Sequence, residues 1–262
     1  MSSMQVPDIG SNARPISMSR RDVARLPFLP RLIRSLRKRY IRVVHGDRPF
    51  VATYFDSRFI VRWEDMVGRE IALQNFERPQ LANFVSACRR RRPDCFIDIG
   101  AHFGLYCCVL LNAHVVSNAI LFEPDERNAT LLRANLLING LLERAAIHQT
   151  AVGRQAGRSR FARGSDRNTG TARISDEGTG QEVKIVALDE VLNFSGRTLA
   201  VKIDVEGFEL EVLAGMQRTL KENRGIVQIE STTTRDSVVD FMGRCGYELV
   251  ADFYWDLFFE RR

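Results

Sequence analysis

The stretch that decides the fold is CFIDIGAHFG, residues 95–104. CFIDI is a short apolar run that predicts a buried β-strand, and the glycines after it precede a helix predicted over 104–114. Glycine at such a strand-to-helix turn permits a tight backbone and close approach of a ligand to the helix N-terminus. Gly100 and Gly104 are separated by three residues, and His102 stands where a dinucleotide-binding loop could place its middle glycine. The spacing therefore disfavours binding of a dinucleotide pyrophosphate.

Short apolar runs and helical patterns continue to alternate after this stretch. Strands are predicted over 119–122, 145–152, 199–205 and 225–230, with helices over 126–139 and around 208–221. Strands that alternate with helices at this spacing predict a parallel sheet covered on both faces. Two strand-like runs without an intervening helix fill 247–260, which predicts a closing hairpin that leaves an antiparallel strand at the sheet edge.

The first 93 residues follow a different pattern. Residues 1–18 are rich in Ser, Pro, Gly and Asn and predict a mobile tail, and the run from Pro30 to Val44 predicts a basic amphipathic helix. A hairpin hinged at Asp56 and Ser57 is predicted over 50–63, followed by helical sequence over 64–92 that Pro93 stops. We therefore expect a tail and basic helix over 1–48, a hairpin and helices over 49–93, and an α/β domain over 94–262.

The net charge of +6 is unevenly distributed along the chain. Residues 1–48 carry eleven basic and three acidic side chains, whereas residues 49–262 carry 27 basic and 29 acidic ones. Because the body of the protein is slightly acidic, we expect no nucleic-acid partner. The basic segment has two candidate roles. Residues 20–42 contact an anionic membrane surface weakly, or the helix packs on the domain through its apolar stripe of Leu32, Ile33, Leu36, Tyr40, Val43 and Val44.

The cysteines and the apolar segments bear on location. The five cysteines show no paired spacing of the zinc or redox kind, so we expect reduced thiols. The N-terminus lacks the apolar core of a secretory signal, and no apolar stretch reaches the roughly 20 residues of a membrane span. The sequence therefore favours the cytoplasm.

An acidic residue follows the second predicted strand. Glu123, in FEPD, lies 19 residues after Gly104, a position from which an acidic side chain binds ribose hydroxyls in nucleoside-binding α/β folds. Acidic residues also cap helices, and Asp125 or Glu126 could take that role at the next helix. Together with the glycine loop, Glu123 favours a nucleoside cofactor.

The fourth predicted strand carries charges on one face, because Lys202, Asp204 and Glu206 alternate with apolar residues. A strand buried on both faces tolerates charges that are paired or that act on a ligand, so a structural ion-pair ladder is the alternative to a functional site. The carboxyl ends of parallel strands meet at one edge, where open α/β sheets bind ligands. We expect an acidic mouth there, suited to a cationic ligand and formed by Asp98, Glu123, Asp204 and Glu230.

Six segments together resemble a known family. In chain order, within about residues 94–251, they are DIGAHFGLY, FEPDERNATLLRANLLING, TAVG, VALDEV, VKIDVEGFELEVLAGM and IVQIE. This combination is similar to the FkbM-type S-adenosylmethionine-dependent methyltransferases, and VKIDVEGFELEVLAG is its most specific part. The resemblance implies the class I methyltransferase fold, an α/β, Rossmann-like architecture with a seven-stranded, mostly parallel sheet and an antiparallel edge hairpin. It also implies S-adenosylmethionine as the cofactor, whose sulfonium charge suits an acidic mouth.

The resemblance implies roles for individual residues. Gly100, His102 and Gly104 would border the methionine part of the cofactor, which Asp98 would orient. Glu123 would hold the ribose, and adenine would lie near Asp125, Gln149 and Thr150. Two positions depart from the family pattern. His102 replaces a common asparagine, and Ser-Thr-Thr follows Glu230 where relatives often carry a histidine, which argues against a histidine base.

Methyl transfer to a hydroxyl requires an aligned acceptor, exclusion of water and a group that takes the hydroxyl proton. We expect Asp204 to be this base, with Glu230 as the second candidate and Lys202 paired to hold the carboxylates in place. We expect no metal, and a divalent ion on Asp204 and Glu230 is the alternative.

The resemblance suggests two classes of acceptor. One is a hydroxyl of a polyketide or macrolide, and the other is a saccharide hydroxyl, including the 2-hydroxyl of a fucose-like residue on a bacterial signalling oligosaccharide such as a nodulation factor. The Arg- and Gly-rich segment 153–180, either a solvated loop or a substrate-side flap, favours the saccharide. Two other functions are alternatives to a methyltransferase. The missing middle glycine disfavours an NAD-dependent oxidoreductase, and a non-catalytic cofactor-binding scaffold is the alternative from another class.

Overall fold

The computed structural model describes residues 16–17, 28–46, 48–162, 173–175 and 181–262. The strands in this part of the chain are β1 (Ile16–Ser17), β2 (Phe50–Tyr54), β3 (Ser57–Val61), β4 (Cys95–Ile99), β5 (Ala119–Phe122), β6 (Ala145–His148), β7 (Ala151–Val152), β8 (Gly157–Ala162), β9 (Arg173–Ser175), β10 (Gln181–Val186), β11 (Thr198–Ile203), β12 (Arg224–Glu230), β13 (Glu248–Phe253) and β14 (Asp256–Arg261). The α-helices are α1 (Phe28–His45), α2 (Met66–Ala72), α3 (Arg78–Arg91), α4 (Leu105–Asn112), α5 (Glu126–Ile138), α6 (Leu188–Val191), α7 (Glu209–Gly215), α8 (Gln217–Glu222) and α9 (Arg235–Arg244).

The main sheet has the strand order β1-β13-β14-β12-β11-β4-β5-β6. The pairs from β12 to β6 are parallel, whereas β14 runs antiparallel to both β12 and β13. The expected class I methyltransferase architecture is therefore confirmed, with the closing hairpin at the edge of the seven strands and β14 as its inner, antiparallel member. The two-residue β1 pairs in parallel with β13 and extends the sheet to eight strands.

The core follows from the apolar runs of the sequence. All five residues of β4 are buried, as expected for a central parallel strand with both faces covered. Helix α4 is buried from Leu105 to Leu111, because it contacts strands β4 and β5 of the sheet and strand β3 of the hairpin. A helix that is apolar on every side requires such enclosure.

The N-terminal hairpin is fixed to the methyltransferase-type domain. The backbone N–H groups of Arg58 and Ile60 donate hydrogen bonds to the side-chain oxygens of Asn139 (2.9 Å) and Asn135 (2.8 Å), at the C-terminal part of α5. Phe59 lies between these two positions and is fully buried in the same core as the sheet. Residues 50–61 therefore belong to the packed body of the protein.

Two predicted elements differ in their bounds from the structure near the carboxyl edge of the sheet. Strand β11 ends at Ile203, so Asp204 and Glu206 lie in the following loop and do not share a strand face with Lys202, as we had expected. Glu206 and Gly207 adopt left-handed backbone conformations, with φ of 51° and 99°, in the turn that follows the strand. The helical region predicted over 64–92 is interrupted between α2 and α3, where Gln74 and Glu77 also have positive φ.

Two further elements are divided. The strand predicted over 145–152 breaks after β6, because β7 leaves the main sheet to pair with β10 in a second, four-stranded sheet of order β7-β10-β8-β9. The helix predicted around 208–221 is divided into α7 and α8 at Met216. The described part of segment 153–180 contains β8 and β9, and its remainder lies outside the described residues, as does most of the predicted tail over 1–18.

Helix α1 presents four of its described apolar residues to solvent. Ile41 is buried, but the exposed fraction of Leu36, Tyr40, Val43 and Val44 ranges from 53% for Val44 to 78% for Val43. The expectation that this stripe packs on the domain is therefore wrong at these four positions. None of the helices in the described ranges is both long and apolar enough to cross a membrane.

Candidate active site

A cavity of about 540 Å³ opens at the carboxyl ends of β4, β11 and β12. Seven residues singled out from the sequence line it, namely Asp98, Gly100, His102, Lys202, Asp204, Glu206 and Glu230. Parallel strands direct their carboxyl ends to one edge of the sheet, which is why residues distant in sequence meet here. Glu123 was expected at this mouth but is not among the residues that line the cavity.

The glycine loop is shaped mainly by packing within the chain. Gly100 has φ of 86°, and a Cβ atom added to it would lie 1.9 Å from the carbonyl oxygen of Asp204. Gly104 has φ of 87°, and its added Cβ would lie 2.4 Å from a methyl group of Leu132. The two glycines therefore allow β4 and α4 to lie close to the β11 loop and to α5. Gly100 thus places the loop directly beside Asp204.

Asp98 is a buried carboxyl group with an unsatisfied oxygen. Its side chain is 2% exposed, and its Oδ1 atom has no hydrogen-bond partner. Burial raises the pKa of Asp98 to about 7, the charge of Lys202 opposes that shift, and the charge of Asp204 adds to it. A buried acceptor without a donor is costly, and a bound ammonium or hydroxyl would satisfy it. The α-amino group of S-adenosylmethionine fits this requirement.

Glu123 connects the glycine loop to the turn after β5. Its two carboxylate oxygens accept hydrogen bonds from the backbone N–H groups of His102 and Asp125, each at 2.8 Å. Burial raises the pKa of Glu123 to about 7, although both hydrogen bonds oppose the shift. Burial also lowers the pKa of His102. A carboxylate has about four lone-pair positions, so these two bonds leave capacity for ribose hydroxyls.

The residues expected near adenine are in two different situations. Asp125 is the N-cap of α5 and accepts hydrogen bonds from the N–H groups of Arg127 and Asn128, so the capping role considered for it is confirmed. Thr150 lies between β6 and β7, and its Oγ1 atom is buried without a hydrogen-bond partner. Thr150 therefore offers a polar contact that a ligand could complete.

Lys202 and Asp204 form the expected ion pair. The Nζ atom of Lys202 lies 2.7 Å from Oδ2 of Asp204, and the lysine side chain is only 4% exposed. Burial lowers the pKa of Lys202, but Asp204, Glu77 and Glu230 together raise it well above its usual value. Lys202 therefore remains charged and holds the Asp204 carboxylate at the cavity.

The Asp204 carboxylate of this ion pair meets two further carboxylates from separate parts of the chain. One oxygen each from Glu77, Asp204 and Glu230 lie within 4.8 Å of one another. The negative charge of Asp204, followed by burial, raises the pKa of Glu230 to about 10, and burial raises the pKa of Glu77 to about 7. Glu230 therefore keeps its proton at neutral pH, which makes it a poor base. Carboxylate oxygens in this arrangement could also bind a divalent cation.

Other residues that line this cavity were not predicted from the sequence, among them Glu77, Tyr106, Trp255 and Asp256. Three of these four belong to a chain of hydrogen bonds. Tyr106 donates to Glu77 at 2.8 Å, and the amide of Gln228 donates to Tyr106 at 2.9 Å and to Asp256 at 2.7 Å. Asp256 had a signal, because it is a lone carboxylate within the apolar run FYWDLFF. Glu77 had none, since it precedes the α/β pattern by 18 residues.

Solved structures with remote similarity to this chain include several methyltransferases. M. jannaschii TYW2 in complex with AdoMet has 10% sequence identity and a TM-score of 0.44, over 82% of this chain and 87% of that chain. The ribosomal protein L11 methylase from Lactobacillus delbrueckii subsp. bulgaricus has 10% identity and a TM-score of 0.44, over 70% and 79%. The Salinibacter ruber RNA methyltransferase in complex with S-adenosyl-L-homocysteine has 12% identity and a TM-score of 0.40, over 70% and 89%. Similarity at this distance carries no argument about the acceptor.

A comparison with family models is decisive. No curated protein matches the chain significantly. The model of the methyltransferase FkbM domain, however, matches residues 98–249, which is more than half of the chain. The match begins at Asp98 and includes both Asp204 and Glu230, and it agrees with the strand order of the main sheet. The chain therefore belongs to the FkbM methyltransferase family and is an S-adenosylmethionine-dependent methyltransferase.

Proposed function

We propose that the protein methylates a hydroxyl group of a saccharide, with Asp204 as the base that takes the hydroxyl proton. The observation that carries this proposal is the single cavity that joins Asp98, on the cofactor side, to Asp204. S-adenosylmethionine supplies the electrophilic methyl group on its sulfonium sulfur. The residues of this chain have to hold the acceptor in line with that methyl group and exclude water.

Asp98 and the glycine loop hold the cofactor in this proposal. The unpartnered Oδ1 of Asp98 binds the amino group of the methionine part, next to Gly100 and His102. Glu123 accepts hydrogen bonds from the ribose, and Thr150 with Asp125 lies at the adenine end. These assignments follow the positions of the family motif, and the unsatisfied oxygens of Asp98 and Thr150 support them.

Asp204 is favoured over Glu230 as the base by its contacts. Lys202 holds one Asp204 oxygen at 2.7 Å, and the Asp204 side chain is 26% exposed, so it can reach an acceptor in the cavity. Glu230 keeps a proton at neutral pH because of the neighbouring Asp204 charge. Asp204 therefore takes the proton from the acceptor oxygen as the C–O bond forms, while Glu230 can donate a hydrogen bond.

Two features of the cavity wall favour a sugar as the acceptor. Hydroxyl groups both donate and accept hydrogen bonds, and the carboxyl groups of Glu77, Asp204 and Glu230 at the cavity offer oxygens that can bind several of them. Trp255 lines the same cavity from the β13–β14 turn and is 41% exposed, so it offers an apolar ring face on which a sugar ring can pack. A fucose-like residue of a bacterial signalling oligosaccharide, methylated at its 2-hydroxyl, is our specific candidate.

The experiment is methyl transfer from labelled S-adenosylmethionine to a panel of glycans and macrolides. The panel contains methyl α-L-fucopyranoside, fucosylated oligosaccharides and macrolides with unmodified hydroxyls. We expect label in the fucosides. Label in the macrolides alone would reject the saccharide and favour a polyketide hydroxyl as the acceptor.

We further propose that the protein works in the cytoplasm, with weak contact to a membrane surface. All five cysteines are unpaired and buried, which suits a reducing compartment. Helix α1 combines the exposed stripe of Leu36, Tyr40, Val43 and Val44 with basic residues and carries no acidic residue. Such a helix fits the interface of an anionic bilayer, as far as residues 20–42 are described.

A further inference from the structure

Glu77 adopts an unusual backbone conformation at the edge of the cavity. It has φ of 42° and ψ of 31°, in the left-handed region that residues other than glycine rarely occupy. It occupies the N-cap position of α3, yet its side chain makes no capping hydrogen bond to that helix. The carboxylate instead lines the cavity that contains Asp204 and Glu230. Backbone strain of this kind persists where the surroundings impose it, and it often marks a functional residue.

The contacts of Glu77 fix its carboxylate in place. The Tyr106 hydroxyl donates to its Oε2 atom at 2.8 Å, and Tyr106 in turn accepts a hydrogen bond from the buried amide of Gln228. A chain of hydrogen bonds in a buried environment restrains each of its members. The Glu77 carboxylate is therefore positioned in advance of acceptor binding, which lowers the entropy lost on binding.

The distance between carboxylates matches a particular acceptor. An oxygen of Glu77 lies within 4.8 Å of an oxygen of Asp204. Each oxygen can accept a hydrogen bond of about 2.7 Å from a hydroxyl group placed between them. Two hydroxyls on neighbouring carbon atoms are close enough for one to reach Asp204 while the other reaches Glu77.

We propose that Glu77 determines specificity by accepting a hydrogen bond from the hydroxyl next to the one that is methylated, so that the site selects acceptors with two hydroxyls on neighbouring carbons. This inference rests on the proposed function, because it takes Asp204 as the base for a hydroxyl acceptor. Glu77 lies outside residues 98–249, so this selection is supplied by the N-terminal part of the chain.

A divalent cation on the same three carboxylates is the competing arrangement. The Lys202 ammonium already pairs with Asp204, and it raises the cost of adding a second cation beside that carboxylate. Burial raises the pKa of Glu77 to about 7, and a cation would have to displace protons from the group. The geometry therefore favours hydroxyl groups, and added metal becomes an outcome of the test.

The test uses two small probes that differ by one hydroxyl group, cis-1,2-cyclohexanediol and cyclohexanol. Their affinities for the full chain saturated with S-adenosylhomocysteine are measured by ligand-observed NMR, for the wild type and for Glu77→Ala and Glu77→Gln. Glu211→Ala is the matched control, because Glu211 pairs with Arg154 away from the cavity. The melting-temperature increase caused by S-adenosylhomocysteine verifies that each variant is folded.

We expect the wild type and Glu211→Ala to bind the diol on the order of 10-fold more tightly than the alcohol, since the carboxylate accepts one additional hydrogen bond. Glu77→Ala should abolish this preference, and Glu77→Gln should reduce it. The inference is overturned if neither probe binds the wild type, if both bind equally, if Glu77→Ala keeps the preference, or if the preference requires Mg²⁺ or Mn²⁺ and disappears with EDTA. Diol selection without methylation of any glycan would reject the saccharide and leave the role of Glu77 in place.

Discussion

Lys202 and Asp204 form an ion pair across the end of strand β11, with 2.7 Å between Nζ and Oδ2. Lys202 belongs to the strand, so the sheet fixes its ammonium group. Asp204 is the first residue after the strand, and its backbone N–H donates to the carbonyl of Ile99 at 2.9 Å. The ring of Tyr106 lies 4.9 Å from the same ammonium. These contacts hold the Asp204 carboxylate at the cavity before any ligand binds.

Replacing Lys202 should destabilise the protein in a pH-dependent way. Lys202→Met leaves Asp204 and its neighbouring carboxylates without their counter-charge, which costs on the order of 3–5 kcal/mol of unfolding free energy. The loss should be smaller at pH 5 than at pH 8, because protonation of the carboxylates relieves their repulsion. Urea unfolding at both pH values measures it. Lys184→Met, at an exposed lysine on β10, should have little effect at either pH. An equal loss for Lys202→Met at both pH values would contradict the electrostatic explanation.

The pH dependence of stability should reveal the titration of the Asp98 carboxyl group. Its pKa rises from about 3.8 in the unfolded chain to about 7 in the folded protein, so the folded state keeps a proton that the unfolded state loses. The unfolding free energy of the wild type therefore decreases as pH rises from about 3.8 to about 7. Asp98→Asn should show a flatter profile and, at pH 7.5, greater stability without cofactor.

The same variant separates stability from cofactor binding. Asp98→Asn should reduce the melting-temperature increase caused by S-adenosylmethionine, because the amide carries no negative charge to pair with the ammonium group of the methionine part. Glu182→Gln, at an exposed site, serves as the control for both measurements. A pH profile of Asp98→Asn that follows the wild type would reject the assigned shift. An unchanged response to the cofactor would remove Asp98 from the cofactor site.

Gly100 should tolerate no side chain. Gly100→Ala places a Cβ atom 1.9 Å from the carbonyl oxygen of Asp204 and forces alanine to a φ of 86°. We expect a loss of at least about 2 kcal/mol in unfolding free energy, together with loss of methyl transfer, because the Asp204 loop must move. Gly157→Ala is the matched control, since no atom lies within 4 Å of its added Cβ. Normal stability of Gly100→Ala would show that the loop packs differently.

Helix α1 should bind anionic vesicles. We expect the full chain to bind phosphatidylglycerol vesicles in low salt, to bind phosphatidylcholine vesicles weakly, and to dissociate as salt rises. The double variant Tyr40→Ser/Val43→Ser should bind several-fold more weakly, because both side chains are more than 60% exposed and would enter the interface. Val191→Ser changes an exposed valine elsewhere and should bind normally. The membrane contact would be rejected if all three proteins bound phosphatidylglycerol vesicles equally. It would also be rejected if the wild type bound neither type of vesicle.

Local sequence patterns were sufficient for the sheet but not for the whole site. The apolar runs predicted a parallel sheet with a closing hairpin, and the ends of the predicted strands placed Asp204 and Glu230 at one edge, because parallel strands share that edge. The end of β11 was missed by two residues, since alternation of apolar and charged residues continues into a turn at Glu206 and Gly207. The alternation of apolar and charged residues does not show where the backbone changes to a left-handed conformation.

Residues that reach the cavity only through tertiary contacts had no signal in the local sequence. Glu77 reaches the cavity because the helical region over 64–92 breaks before α3, and helical periodicity alone continued through that break. Tyr106 lies in an apolar helix, and its hydroxyl gains a role only through Glu77 and Gln228. The outward orientation of the α1 stripe likewise depends on packing, because an amphipathic pattern does not state which surface covers it.

The most direct test of the account is methyl transfer to methyl α-L-fucopyranoside by Asp204→Asn under single-turnover conditions with saturating labelled S-adenosylmethionine. We predict a rate on the order of 10²- to 10⁴-fold below the wild type, as expected for loss of a general base, with unchanged affinity for S-adenosylhomocysteine. Glu211→Gln should transfer methyl groups at the wild-type rate. A rate for Asp204→Asn within about threefold of the wild type, with the cofactor bound normally, would contradict the claim that Asp204 takes the hydroxyl proton.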